Sequence, residues 1–423
     1  MTISHMNKRT LVSIFTGAGG LDIGFEQSGF STLSALEVHP KYCETLARNK
    51  DRKIPLPDGG GFYFEDTVII NKDIRIVSGD ILCRGIKNID CVIGGPPCQS
   101  FSSAGRQLST FDSRGALIYE YLRILTEIKP KVFLFENVRG LVTAKAENGE
   151  PGEVLIDLLK EFEKVGYNCK VALLNSADYG AYQRRVRCFI IGSRIAAAPD
   201  FPIPKFGKNK ISGTVDGYIC EKWNTLGDFL ELYADNDEIN WVRPTEELWE
   251  QLKFVPNGSG LKSKGRAEAT RPGGHWGYRQ GTFIADPTLP ARTVTGSSSQ
   301  DWIRLPDGTL RRLTKKEVSK LQGFPEQWEF CGSKSDQFQQ IGNAVPVTFG
   351  EVLGQTLYDY LSGGYKNYPL ENEIILPKDI LENIRNTKYD SSKNGAYRVN
   401  AQANARKGIS PKVKHTSKKL DDY

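Results

Sequence analysis

The sequence predicts an α/β protein in which a doubly wound, mostly parallel sheet is followed by a smaller, irregular domain. Three observations carry this. Short runs rich in Val, Ile, Leu and Phe (11–15, 33–37, 74–78, 90–93, 132–136 and 187–191) recur between helix-length stretches, the alternation of parallel strands with crossover helices. A glycine-rich turn, Gly17-Ala18-Gly19-Gly20, follows the first run and opens a helix. After Arg194 the rhythm stops, and Pro, Gly, Trp and Tyr become frequent through 200–290.

The helices follow from their stops. Leu21 to Gln27 ends before Gly29, Gly115 to Ile128 ends before Pro130, and Val154 to Val165 ends at Gly166. Gly accepts the left-handed conformation that closes a helix, and Pro lacks the N–H that would continue one. Residues 1–194 therefore read as one domain, and 195–312 as a second. Helical periodicity returns from Leu313 through Leu321 and from Val347 to Leu361, so 313–365 reads as a helical return onto the first domain. Residues 366–423 read as a basic, weakly ordered tail.

Composition narrows the class. The chain has 423 residues, 39% hydrophobic and 10% aromatic, with no run near the roughly 20 apolar residues of a membrane span. Met1 to Thr10 lacks the apolar stretch of a secretory signal, so a cytoplasmic enzyme is expected. Eight cysteines are scattered with no C-x-x-C pair, which argues against a disulfide scaffold and a structural zinc site; a reduced compartment and no metal are expected. The net charge of +6 is uneven: from Arg385 to Tyr423 ten Lys/Arg face three Asp. Such a tail suits a polyanion, and a merely solvated terminus fits it equally well. Within the second domain 216–250 is acidic, whereas 251–290 is basic and glycine-rich, so its backbone can follow an irregular partner closely.

At one end of the sheet, Phe15-Thr16-Gly17-Ala18-Gly19-Gly20-Leu21 lets a ligand approach backbone N–H groups at a helix start. It departs from G-x-G-x-x-G, and alone it suits a tight structural turn as well. Two acids sharpen the reading. Glu37 ends the second run 18 residues past Gly19, where a carboxylate can accept both ribose hydroxyls. Asp80, in Ser78-Gly79-Asp80-Ile81, is placed at the end of the next strand, where it can bond an adenine amino group. Each singly suits a surface residue or helix cap. Together they point to a cofactor with an adenosine half and no pyrophosphate.

Gly94-Gly95-Pro96-Pro97-Cys98-Gln99-Ser100-Phe101-Ser102 follows the fourth run. Two prolines fix φ, so Cys98 is presented from a stiff turn at the sheet edge. The ordinary fate of a free cysteine is a small buried filler, but Cys98 lies between prolines and a polar run, which suits a nucleophile. Gln99–Thr110 is Ser/Gly-rich and reads as a lid. Phe135-Glu136-Asn137-Val138 ends the next strand; a buried Glu136 with no local cation is expected to hold a proton near neutrality, and a turn cap is the alternative. Gln183-Arg184-Arg185-Val186-Arg187 is expected to open an edge strand with Gln183, Arg185 and Arg187 on one side, able to bind phosphate or orient a base, or forming a plain solvated face.

The ordered set FTGAGGLDIGF, Glu37, SGDI, GGPPCQSFS, FENV, QRRVR, RLTKKEVSKLQGFP (312–325) and QIGNAVP (340–346) resembles the DNA (cytosine-5) methyltransferase family of bacterial or phage modification type, over most of residues 10–360. The gap between QRRVR and RLTKKEVSKLQGFP matches that family's variable target-recognition region. The resemblance implies the fold of S-adenosylmethionine-dependent methyltransferases, S-adenosylmethionine as methyl donor, no metal, and double-stranded DNA as substrate. It implies that Cys98 adds to C6 of a cytosine rotated out of the stack, that Glu136 bonds the N3/N4 edge, and that Arg187 and Arg185 position the base or the adjacent phosphate.

Toward the cofactor it implies Phe15 against the adenine, Gly17, Gly19, Gly20 and Leu21 near the methionine part, Glu37 at the ribose and Asp80 at the adenine. Ile81 and Pro97 would also line that site, and Asn343 would close it from the C-terminal side. Ser100, Arg271, Arg279, Gln280 and Arg292 are the expected DNA contacts, because Arg and Gln suit guanine and adenine edges. The family often has Arg-Pro-Thr where this chain has Ala291-Arg292-Thr293, which leaves the role of Arg292 open. A monomer is expected, with a cognate restriction endonuclease or defence proteins as functional rather than stably bound partners. Two rivals remain. A transfer-RNA methyltransferase on the same scaffold would carry Cys-Phe-Thr where this chain has Phe330-Cys331-Gly332, and a silent DNA-binding homologue would lack Cys98 and Glu136.

Overall fold

The computed structural model describes residues 8–97, 116–145, 149–208, 211–215, 218–261, 282–367 and 376–386. The first part runs β1 (Arg9–Ile14), α1 (Gly20–Gln27), β2 (Phe30–Glu37), α2 (Pro40–Asp51), β3 (Val68–Asn71), α3 (Gly79–Cys83), β4 (Cys91–Gly94), α4 (Ala116–Ile128), β5 (Val132–Val138), α5 (Glu153–Lys164), β6 (Asn168–Asn175) and β7 (Val186–Ser193). These strands form one seven-stranded sheet in the order β3-β2-β1-β4-β5-β7-β6. All neighbours are parallel except that β7 runs antiparallel to both β5 and β6.

The residues explain the layers. In β4 and β5 Cys91, Val92, Ile93 and Val132 to Phe135 are all fully buried, the continuous apolar texture of strands covered on both faces. Helix α5 buries Val154, Leu155, Leu158, Leu159 and Phe162 on one stripe. It closes as expected at Gly166, whose φ of 91° lets Tyr167 N–H reach back to the Phe162 carbonyl. The chain winds from β1 outward to β3, then returns to the other side of β1 with β4. That reversal opens a crevice at the carboxyl ends of β1 and β4, where ligands of open α/β sheets bind.

Three strand expectations are corrected. Residues 74–78 are not a strand: Asp73 accepts a hydrogen bond from Arg75 N–H and starts a short 3-10 turn at Ile74–Ile76, and the edge strand is the four-residue β3 upstream, whose side chains are exposed or half-buried. Asp80 accordingly lies in the first turn of α3, not at a strand end. β6 forms the sheet edge outside β7, so the arginine-rich segment leads into an interior strand.

The second part is built of small pieces. β8 (Phe206–Gly207), β9 (Ile211–Val215) and β10 (Tyr218–Lys222) form a three-stranded sheet; α6 (Leu226–Tyr233) and α7 (Glu246–Leu252) follow; β11 (Ser259–Gly260), β12 (Phe283–Ile284), β13 (Trp302–Arg304) and β14 (Leu310–Arg312) form a four-stranded sheet. A fully buried ion pair pins the end of β14 to the next helix, α8 (Lys315–Leu321): Arg311 donates to both Glu317 oxygens at 2.6 and 2.8 Å. Glu317 also accepts Thr314 N–H and Asp235 N–H, so the buried carboxylate is amply bonded.

The chain then returns. α9 (Lys334–Asn343) precedes α10 (Val347–Leu361), which lies directly on α1. Contact is backbone to backbone: a Cβ at Gly24 would sit 2.4 Å from the Val347 carbonyl oxygen, and one at Gly350 2.4 Å from that of Leu21. A last helical segment, 378–386, packs Ile380 and Ile384 into the core beside α5. Among the described residues no helix is long and apolar enough to cross a membrane, and no group of three or more His, Cys, Asp or Glu is placed to hold a metal.

Candidate active site

The turn after β1 is held open by its own backbone. Phe15 takes φ 57°, a left-handed conformation that costs a non-glycine residue about 1–2 kcal/mol, and Gly17 and Gly19 also have positive φ. Such strain persists only where surrounding contacts fix it. Here Thr16 N–H bonds the Leu36 carbonyl and Gly17 N–H bonds Glu37 Oε2 at 2.9 Å, tying the turn to the end of β2. Gly19 caps α1, and Gly20 and Leu21 lie buried in its first turn against the returning chain. A Cβ built on Gly17 would meet nothing within 4 Å, so that stretch of backbone faces open space.

Glu37 is buried, and its second oxygen accepts His39 N–H at 2.8 Å. Desolvation pushes its pKa up, and the two backbone N–H bonds pull against this. Val38 beside it is 61% exposed, and Ile81, after the exposed Asp80, is 49% exposed. Ser34 of β2 donates to the Leu82 carbonyl and so fixes α3 to the strand that ends in Glu37. Two apolar side chains left in water at one sheet edge suit a flat ring. Val38 escaped the sequence reading; its only signal was its place after Glu37. On the other side His39 stacks on Tyr42 at 4.4 Å, and Tyr42 Oη accepts a long hydrogen bond (3.5 Å) from Asn343 Nδ2 at the end of α9. The C-terminal return thus reaches this pocket.

Across the crevice, the Gly94–Pro97 turn is pressed against the end of β5. A Cβ on Gly95 would lie 2.6 Å from Glu136 Oε2, and Asn137 Nδ2 donates to the Pro96 carbonyl at 3.3 Å. Cys98 itself lies outside the described residues, one position beyond Pro97, as does Ser100. The strand register puts Glu136 opposite Phe189 and Val138 opposite Arg187. Arg187 is therefore the diagonal neighbour of Glu136 on the same face, and its Nε stands 3.1 Å from Glu136 Oε1. The expectation that Glu136 has no local cation is corrected by this pair. Its pKa is nevertheless raised: burial outweighs the opposing charges of Arg187 and Arg185.

Arg185 is buried and bonds two carbonyls, Val294 at 2.9 Å and Gly342 at 2.8 Å. Burial and Arg187 work against its charge, and Glu136 favours it. Arg292 stands over the Phe283 ring at 3.9 Å and pairs with buried Asp301 at 3.4 Å, so its guanidinium is engaged inside the small domain. Arg271, Arg279 and Gln280 lie outside the described residues.

The model of the C-5 cytosine-specific DNA methylase family matches residues 9–359. The chain belongs to this family. It is 32% identical over 370 residues to the type II methyltransferase M.FnuDI of Fusobacterium nucleatum, covering 83% of this chain and 95% of that one. It is 33% identical over 357 residues to M.Sau96I of Staphylococcus aureus, covering 82% and 75%. The fold is similar to that of the Entamoeba histolytica methyltransferase EhMeth (TM-score 0.57, 16% identity, 84% and 99% covered). It is also similar to that of Spodoptera frugiperda DNMT2 (TM-score 0.55, 18% identity, 83% and 100% covered). The chain is thus a DNA (cytosine-5) methyltransferase with the α/β architecture of its family.

Proposed function

We propose that the chain transfers a methyl group from S-adenosylmethionine to C5 of a cytosine rotated out of a specific DNA duplex, as the modification partner of a restriction or other defence system. The observation that carries this reading is the pairing of a raised-pKa Glu136 with Arg187 against the Pro-Pro turn, across the β1/β4 crevice from a glycine turn bonded to Glu37. The cofactor fits the residues present. Glu37 retains lone pairs for ribose hydroxyls, Phe15, Val38 and Ile81 would flank the adenine with Asp80 at its amino group, Gly17, Gly19, Gly20 and Leu21 would lie along the methionine part, and Asn343 with Pro97 would close the site. When bound, S-adenosylmethionine supplies an electrophilic methyl group.

The protein's part is to make C5 nucleophilic. The Cys98 thiolate forms a bond to C6, and the displaced π pair moves onto C5 while N3 takes a proton from Glu136. The Arg187 guanidinium keeps the Glu136 carboxyl aimed and balances it once the proton has gone. Once C5 carries the methyl group, N3 returns its proton to Glu136, and loss of the C5 proton to water with departure of the Cys98 sulfur restores the aromatic ring, the thiolate and the Glu136 carboxyl. Atoms C5 and C6 are out of reach inside a stack, so extrusion of the base is required. Arg271, Arg279, Gln280 and Ser100 would contact DNA; Arg292 suits a brace for the small domain better than a reading head.

The test has two readings. Bisulfite sequencing of DNA from cells expressing the protein should reveal 5-methylcytosine in one short sequence, and DNA carrying 5-fluorocytosine there should become covalently joined to residue 98. The covalent mechanism fails if no conjugate forms under turnover, or if Cys98→Ser keeps full activity.

A further inference from the structure

The cofactor pocket and the base pocket meet at a buried knot of amides. Gln183, the first residue of the QRRVR segment, is fully buried; its Nε2 donates to Gln322 Oε1 at 2.6 Å and to the Leu321 carbonyl at 2.8 Å, and its Oε1 accepts Val294 N–H at 3.2 Å. Gln322, at the end of α8 and equally buried, donates to the carbonyls of Ile341 and Ala344, on either side of Gly342 and Asn343. Arg185 adds bonds to the carbonyls of Val294 and Gly342. Four separate stretches of chain are therefore joined: the lead-in to β7, the 291–296 segment between β12 and β13, the end of α8, and the end of α9.

Both amides are oriented by their partners. Flipping Gln183 would set its oxygen against Gln322 Oε1 and the Leu321 carbonyl, and flipping Gln322 would set an oxygen against two carbonyls. With every polar atom of the two amides bonded, this buried pair favours one arrangement over a graded series. The network reaches Asn343, which faces the cofactor pocket, through the carbonyls of Ile341, Gly342 and Ala344, and it includes Arg185, two residues before the Arg187 that pairs with Glu136.

We infer that Gln183 and Gln322 are positioning residues whose shared hydrogen bond couples cofactor occupancy to the grip on the extruded base. The inference rests on the proposed reading of the two pockets. Settling Asn343 on a bound cofactor fixes the 341–344 carbonyls, hence Gln322, Gln183 and the strand that carries Arg187. No contact of either glutamine with cofactor or base is required.

The test measures the affinity of the wild-type protein for a duplex bearing the mapped cytosine, with and without saturating S-adenosylhomocysteine. Wild type should bind DNA about 10-fold or more tightly with the compound present, within the usual range of coupling between sites. Gln322→Leu, Gln183→Leu and the double variant should each bring that ratio to within about twofold of one. The double variant should lose no more of the coupling than either single one, because the shared Gln183–Gln322 bond is already gone in each. Thermal melts identify folded variants, and Gln183→Met serves where Leu prevents folding. A ratio of one in wild type, or variants that melt cooperatively yet keep the wild-type ratio, overturns the inference. Failure of wild type to bind S-adenosylhomocysteine at all overturns the functional reading itself.

Discussion

Asp22 offers the sharpest test of the energetics. It sits in the first turn of α1, 1% exposed, and burial raises its pKa from 3.8 to about 7, with the Ser13 hydroxyl opposing the rise and Glu26 adding to it. The unfolded chain ionises this group near pH 4, whereas the folded chain takes up a proton and keeps it until about pH 7. Its contribution to stability is therefore intact below pH 4, declines through the window from 4 to 7, and stays lost above that. A shift of about 3 units corresponds to about 4 kcal/mol, of which about 2 kcal/mol falls between pH 5.5 and 7. Asp22→Asn removes the ionisation but leaves a buried amide N–H pair that costs about 1–3 kcal/mol unless bonded. The absolute effect at one pH can therefore have either sign, and the pH dependence decides. Urea unfolding at pH 5.5 and pH 8 should show the variant gaining about 2 kcal/mol on wild type between the two. If the difference between variant and wild type is the same at both, Asp22 is already ionised in the folded protein and the reasoning is wrong.

Three further outcomes follow from the geometry. Glu317→Ala leaves Arg311 charged and enclosed, and should lower stability by about 3–5 kcal/mol in denaturant titration. Glu136→Gln keeps the shape beside Gly95 but cannot give up a proton, so transfer of labelled methyl to DNA should fall about 10²–10⁴-fold in protein that still melts cooperatively. Ending the chain after Asn386 removes nine Lys/Arg and three Asp; if the tail lies on duplex phosphates, the slope of log affinity against log salt should flatten by up to about 8, with the methylated sequence unchanged. An unchanged slope would mark the tail as a solvated terminus.

Much of the site was readable because its signals are local. The glycine turn, Glu37, Pro96-Pro97, Glu136 and the turn around Asn343 each stand at the end of one element, and elements with strong apolar runs such as β4 and β5 declare themselves. What escaped was non-local. The pairing of Arg187 with Glu136 depends on β7 running antiparallel beside β5, which no periodicity within either strand reveals. β3 is hard to place because Val68 to Asn71 is only four residues long and none of its side chains is fully buried, while the similarly apolar 74–78 is diverted by the Asp73 cap. Arg292 looked like a free basic loop residue because Phe283 and Asp301, which hold it, lie on other stretches of chain.

The contact between α1 and α10 has a temporal meaning. Arg9 donates to the Leu361 carbonyl at 3.1 Å, so the opening strand meets residues translated 352 positions later. At about 5–20 residues per second, about 20–70 s separate the emergence of the two ends from the ribosome. Once residue 136 has been made, the nascent polypeptide holds the proposed nucleophile and acid, Cys98 and Glu136, but for the rest of that interval it lacks Asn343, which meets Tyr42 beside the glycine turn. A ribosome-bound or prematurely terminated chain should therefore leave the genome unmarked, and competence should arrive with the final helices rather than accumulate along the way.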